Sequence, residues 1–165
     1  ARVRGQQMTG KTAAKDKGDV GMHKIVGTPK EVKYRNRKGA YLIPKKDDYI
    51  GVVKIPKGYF LLGGGMRKGE TDQDCIRREC MEEIGYKVSV EYKIGSAEAY
   101  IENPKMGYYH PIQTYYAGEL LEMVQRPIEH NHKLVWMKFE ELYGKMYLEI
   151  QNWAIAEYWN RERRF

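Results

Sequence analysis

One stretch of this chain, Gly64 to Tyr86, reads GGMRKGETDQDCIRRECMEEIGY and constrains the structure more than any other. Thr71 and Asp74 form a Thr-x-x-Asp capping signal, which predicts a helix over residues 72–84. Ile76, Cys80 and Ile84 recur every four residues and face the core of such a helix. Gly85 closes it, because glycine tolerates the left-handed geometry of a helix end. On that helix Glu79, Glu82 and Glu83 stand at i, i+3 and i+4 and share a face. Anions packed this way repel one another unless positive charge sits among them. Taken singly, each glutamate suits a solvated helix face. Taken together beside the glycines Gly63, Gly64 and Gly65, which are read here as a turn, they form the oxygen-rich ligand set of a hard divalent cation. The expected site is magnesium-dependent and serves phosphate chemistry.

The spacing Gly64, five residues, Glu70, seven residues, Arg78-Glu79-Cys80-x-Glu82-Glu83-x-Gly85-Tyr86 resembles the Nudix box. That box marks the MutT-like hydrolases that cleave a nucleoside diphosphate linked to another group. Cys80 and Tyr86 stand where the family usually has aliphatic residues, and Leu62 where many members have proline. The resemblance implies an α/β/α sandwich with a mixed β-sheet and a pyrophosphohydrolase using Mg²⁺, with Mn²⁺ as its substitute. It implies Glu79, Glu82 and Glu83 as metal ligands, with backbone oxygen of the Gly63–Gly64 turn as a further contact. Arg78 and Glu70 pair to orient the ligand face, since an arginine–carboxylate fork has the geometry for it. Glu82 or Glu83 can activate the attacking water. In part of the family an additional glutamate comes from a loop before a late strand, and Glu129 occupies a comparable place here. His132 is a second candidate base, its ordinary pKa suiting proton transfer. An exposed loop is the competing reading for both.

A chain of 165 residues fits one domain. No apolar run approaches the length of a membrane span. Cys75 and Cys80 lie on different faces of the predicted helix and are not expected to pair. Nothing reads as a disulfide framework, so a reducing, cytoplasmic setting is expected. The net charge of +7, from 29 Lys and Arg against 22 Asp and Glu, is unevenly spread. Residues 1–46 carry 13 of the basic and 3 of the acidic residues, leaving 16 against 19 for the rest. The basicity thus belongs to the leading part. Residues 1–23 lack apolar periodicity and read as a flexible leader or expression remnant, with residues 24–165 as a single Nudix domain.

The expected elements after the leader are a first strand at 31–34, an apolar run at 40–44, strands at 49–55 and 59–62, and strand-like segments over 87–100. A long strand at 108–121, a strand at 134–137 and a final helix over 145–160 follow. The final helix carries Met146, Ile150, Trp153, Ala154 and Tyr158 on one side. That face suggests a homodimer, or equally packing on the chain's own sheet. Tyr100, Tyr108, Tyr109, Tyr115 and Tyr116 lie where the family builds its specificity loops; each either stacks on a base or fills the sheet. Arg35, Arg37 and Lys38 either contact phosphate or are surface charge. The expected partner is a nucleotide-derived small molecule: a nucleoside triphosphate, a nucleotide sugar or a dinucleoside polyphosphate. Two alternatives stand beside it. A basic leader suits an enzyme on RNA 5′ ends, and a catalytically silent nucleotide sensor is the other, although such a module would have lost its box carboxylates.

Overall fold

Alternation sets the centre of the molecule. In a computed structural model that describes residues 22–163, strand β2 runs from Arg35 to Lys46. Its central side chains go alternately to two different cores. Ala40 and Leu42 face one, Tyr41 and Ile43 the other, as the two-residue period of a strand requires. A sheet buried on both faces needs a helix on each. These are α1 (Asp72–Ile84) and α3 (Glu149–Arg163).

The remaining elements are β1 (Met22–Val26), β3 (Tyr49–Ile55), β4 (Gly58–Phe60), β5 (Leu62–Gly65), β6 (Tyr86–Ala99), β7 (Ile101–Asn103), β8 (Gly107–Met123), β9 (Lys133–Lys138) and the short α2 (Phe139–Leu142). The main path of the sheet is β1-β6-β8-β2-β3-β4, with β5 on β2, β7 on β8 and β9 on β3. It is mixed, because β1 runs parallel to β6 and β2 parallel to β8, while the other pairs are antiparallel. The architecture is the expected α/β/α sandwich. Ile76, Cys80 and Ile84 of α1 pack with Leu42, Val53 and Leu62 on one face. Ile150, Ala154, Ile155 and Tyr158 of α3 pack with Tyr41, Ile50 and Tyr115 on the other.

Several expectations are corrected. Residues 31–34 form no strand, and the chain becomes extended only at Arg35. The boundary drawn after residue 23 falls inside β1, whose five residues pair with Gly95–Ala99; residues 1–21 of the expected leader lie outside the described residues. The last helix begins at Glu149 rather than 145. Met146 precedes it, its N–H held by the Asn152 side chain at 2.9 Å. Of the two readings of that helix face, packing on the chain's own sheet is the one formed. Among the described residues no helix is long and apolar enough to cross a membrane.

Candidate active site

The capping box is formed as its sequence predicts. Thr71 Oγ1 accepts from Asp74 N–H at 3.1 Å, and Asp74 Oδ2 accepts from Thr71 N–H at 3.1 Å. Gly85 ends the helix at φ 74°, where a Cβ would meet Gln125 O at 2.0 Å.

The three glycines are a strand rather than a turn. They pair with Gly39–Tyr41 of β2, and α1 is fastened to each of them. Gly63 N–H donates to Glu83 Oε1 at 3.0 Å, Cys75 Sγ donates to Gly64 O at 3.3 Å, and Arg78 Nη2 donates to Gly65 O at 2.9 Å. The reason for glycine is space: a Cβ on Gly64 would lie 2.4 Å from Glu79 Cδ. The glycines let a carboxylate-bearing helix lie directly on a strand.

Arg78 supplies the positive charge that the cluster requires. Its Nε and Nη2 fork onto Glu70 at 2.6 and 2.9 Å, and its Nη1 reaches Glu79 at 2.9 Å and Glu82 at 3.4 Å. Glu70 also accepts from Arg67 N–H at 2.7 Å. The Arg78 hydrogen bonds, followed by that backbone bond, push the Glu70 carboxyl down to about 2. Arg78 itself is pushed up, chiefly by the Glu70 bonds. Glu83 has no such cation. Burial raises its carboxyl well above the ordinary range; the Gly63 N–H opposes this, and Glu79, Glu129 and Glu82 add to it. Glu79 is raised by burial too, with Arg78 opposing.

Glu129 reaches the same cluster from the loop before β9. Ile128 and Glu129 N–H groups both donate to Glu82 O, at 2.9 and 3.1 Å, so the loop satisfies a carbonyl that the end of α1 leaves open. His132 Nε2 lies 3.1 Å from Glu129 Oε1 and 3.6 Å from Glu83 Oε2. Its Nδ1 is buried and has no partner among the described residues.

Two ligand groups result, Glu83–Glu129–His132 and Glu79–Glu82–Glu129, each with donor atoms within 4.8 Å of one another. Carboxylate oxygens predominate, two of them on acids whose burial disfavours their charge. This donor set fits a hard divalent cation. Glu79, Glu83, Glu129 and His132 line a cleft of about 260 Å³ to which Arg37 of β2 also contributes.

The tyrosines divide. Tyr115 is core and Tyr116 donates to Asp72 Oδ2 at 2.7 Å. Tyr100 stacks on His110 at 4.3 Å, and Tyr108 meets Tyr34 edge-on. Tyr109 alone of the five lines a recess next to the carboxylate cleft, beneath the Arg35 guanidinium at 4.5 Å. Arg35 and Arg37 therefore line a cavity, and Lys38 does not. Sequence reading passed over Phe60, Tyr147 and Gln113, which line that recess. Gln113 left one trace, a polar residue at an inward position of an aromatic strand.

The NUDIX domain family profile matches residues 33–158. The chain belongs to the NUDIX domain family. Two bacterial proteins named nucleoside triphosphatase NudI resemble this Nudix chain over a shorter stretch. The one from Enterobacter sp. (strain 638) is 42% identical over 52 residues, and the one from Escherichia fergusonii 43% over 53. Each match covers 32% of this chain and 36% of the relative, so the match spans about a third of the relatives' length. Among solved structures, a NUDIX hydrolase from Nitrosomonas europaea superposes with a TM-score of 0.62 at 19% identity, over 75% of this chain and 88% of that one. The MutT protein of Methanosarcina mazei Go1 gives 0.63 at 16%, over 82% and 100%. These two likenesses establish the fold.

Proposed function

We propose that this Nudix chain is a divalent-metal-dependent pyrophosphohydrolase that cleaves the phosphoric anhydride of a nucleoside diphosphate linked to another group. The supporting observation is the meeting of Glu79, Glu82, Glu83 and Glu129 in two ligand groups that share Glu129, with Arg78 bonded to Glu79 and Glu82. The box carboxylates are all present, which supports this reading over a sensor module.

Glu79, Glu82, Glu83 and Glu129, with His132 beside them, would hold Mg²⁺ or Mn²⁺. When bound, such ions neutralise phosphate charge and acidify water. The rest falls to the chain itself. Arg78 holds the carboxylates of Glu79 and Glu82 in place and, through Glu70, keeps its own position. Arg37, which lines both the cleft and the recess beside it, is read as the contact to a substrate phosphate, a role guanidinium geometry suits. Glu129 takes the proton from the attacking water as the water oxygen bonds to phosphorus and the anhydride P–O bond breaks. His132, in contact with the same carboxylate, positions it. The reading of Glu129 as base, rather than Glu82 or Glu83, is supported by its place on a separate loop and by His132 Nε2 at 3.1 Å from its carboxylate. Glu129 also belongs to both ligand groups.

The relatives' name directs the first substrates to nucleoside triphosphates. Phosphate and pyrophosphate release is measured from nucleoside triphosphates, nucleotide sugars, dinucleoside polyphosphates and 5′-triphosphorylated RNA, with Mg²⁺ and with chelator. Chelator-sensitive turnover of one nucleotide class is expected, and E129Q should lower kcat with little change in KM. Turnover that survives chelation would overturn the metal role.

A further inference from the structure

The recess beside the carboxylate cleft has a volume of about 290 Å³ and shares Arg37, Tyr41 and Phe60 with it. Its character is opposite. Among the described residues no carboxylate lines it; Arg35, Arg37 and Lys57 bring positive charge, and Phe60, Tyr109 and Tyr147 bring aromatic surface. Phe60 and Tyr147 stack on one another at 5.2 Å. Cations beside aromatic faces suit a phosphorylated aromatic ring.

The recess also contains a buried carboxamide, that of Gln113 of β8, which is 2% exposed. The orientation of its amide follows from a chain of obligatory donors. Leu61 N–H can only donate, and it does so to Gln151 Oε1 at 2.8 Å. That fixes Gln151, whose Nε2 must then donate, and it does so to Gln113 Oε1 at 3.0 Å. Tyr115 O–H donates to the same oxygen at 3.0 Å. With Oε1 engaged twice, the Gln113 carboxamide is locked; its Nε2 makes no hydrogen bond of its own among the described residues and is not sealed in the core, since Gln113 lines the recess. A locked donor that opens on a recess is free to bond an acceptor of a ligand held there.

We propose that this recess holds the base of the nucleotide and that Gln113 is the residue that selects it, donating from Nε2 to an exocyclic oxygen on the base edge. The inference rests on the reading of the adjoining cleft as a nucleotide-cleaving site. It names a substrate class: nucleotides with an oxo group at the 4-position of a pyrimidine or the 6-position of a purine, such as uracil or hypoxanthine, over cytosine and adenine, which carry an amino group there. An amino group in the same place presents a donor to a donor. A site built around one hydrogen bond rejects the analogue that cannot make it.

The test is binding of nucleoside 5′-monophosphates to the full chain in chelator, by calorimetry, in the pairs UMP against CMP and IMP against AMP. A preference of about tenfold or more for the oxo member is expected in each pair. Q113E keeps an acceptor for Gln151 and Tyr115 and replaces only the donor, so it should erase or invert the preference. In the wild-type chain the ¹⁵N resonance of the Gln113 carboxamide should shift on saturation with UMP. This decides the matter even where Q113E fails to fold. Equal affinities within both pairs, a preference that survives in Q113E, or saturation that leaves the carboxamide unmoved would each overturn the assignment. Hydrolysis of the matching triphosphates with Mg²⁺ is run in parallel. Base-selective binding without turnover defeats the hydrolase reading and supports the recess, whereas turnover without selectivity does the reverse.

Discussion

Glu70 and Glu83 belong to one cluster and experience opposite environments. Glu70 accepts a guanidinium fork and a backbone N–H, and its carboxyl falls from 4.5 to about 2. A carboxylate whose folded pKa is depressed contributes stability that is present above its unfolded value. That stability is lost as pH falls through the folded one. E70Q should therefore flatten the acid limb of the stability curve between about pH 4.5 and 2. Urea melts at several pH values would show it, and an unchanged acid limb would remove Glu70 from the account. Glu82, half way along the ligand face, predicts a different readout. E82Q keeps the shape of the side chain and should lower kcat by on the order of 10²–10³, the scale of a lost electrostatic contact in the transition state. Its melting temperature should move little. Undiminished turnover of E82Q would remove Glu82 from the ligand set.

At the scale of elements, the site depends on how closely α1 lies on β5. Thr71→Ala removes the N-cap acceptor and should cost about 1 kcal/mol of stability. Gly64→Ala is more telling. The added Cβ would sit 2.4 Å from the Glu79 carboxyl carbon, and a glutamate tip can swing away. The chain should fold, while kcat falls as Glu79 leaves its place. A circular dichroism spectrum like the parent's with much reduced turnover is the expected pair of results. Helix α1 was legible in the sequence from end to end because its caps and its four-residue period are local. The glycines were misread as a turn because their strand character comes from pairing with Gly39–Tyr41, across a long gap in sequence. The role of Gln113 was illegible for the same reason. Its orientation is set by Gln151, 38 positions away, which is in turn fixed from Leu61, 90 positions from Gln151. The carboxylates could be read because they are spaced on one helix. Glu129 could be read only through family likeness, since what docks its loop is a pair of hydrogen bonds to the carbonyl of Glu82.

At the scale of the whole molecule, every group assigned to the two recesses lies between Arg35 and Gln151. Removing residues 1–21 should therefore leave nucleotide turnover unchanged, whereas an RNA substrate, if used, would lose affinity and salt dependence together. The site also leaves a mark on the stability of the entire chain. Glu83 is 6% exposed, with Glu79 and Glu129 adding to the cost of its charge and no cation of the protein beside it except His132 when protonated. A fold carrying such a group is less stable than its packing allows until a cation binds. E83Q keeps an acceptor for Gly63 N–H and discards the charge. In chelator at neutral pH it should be more stable than the parent by roughly 1–3 kcal/mol. Mg²⁺ should reverse the order, since an ion that binds only the folded state stabilises it by about 2.7 kcal/mol at a hundred times its dissociation constant. The parent should then gain several degrees in melting temperature and E83Q little, while E83Q remains inactive. A parent whose melting temperature ignores Mg²⁺, or a variant that gains as much, would show that the buried carboxylate is retained for some reason other than the ion.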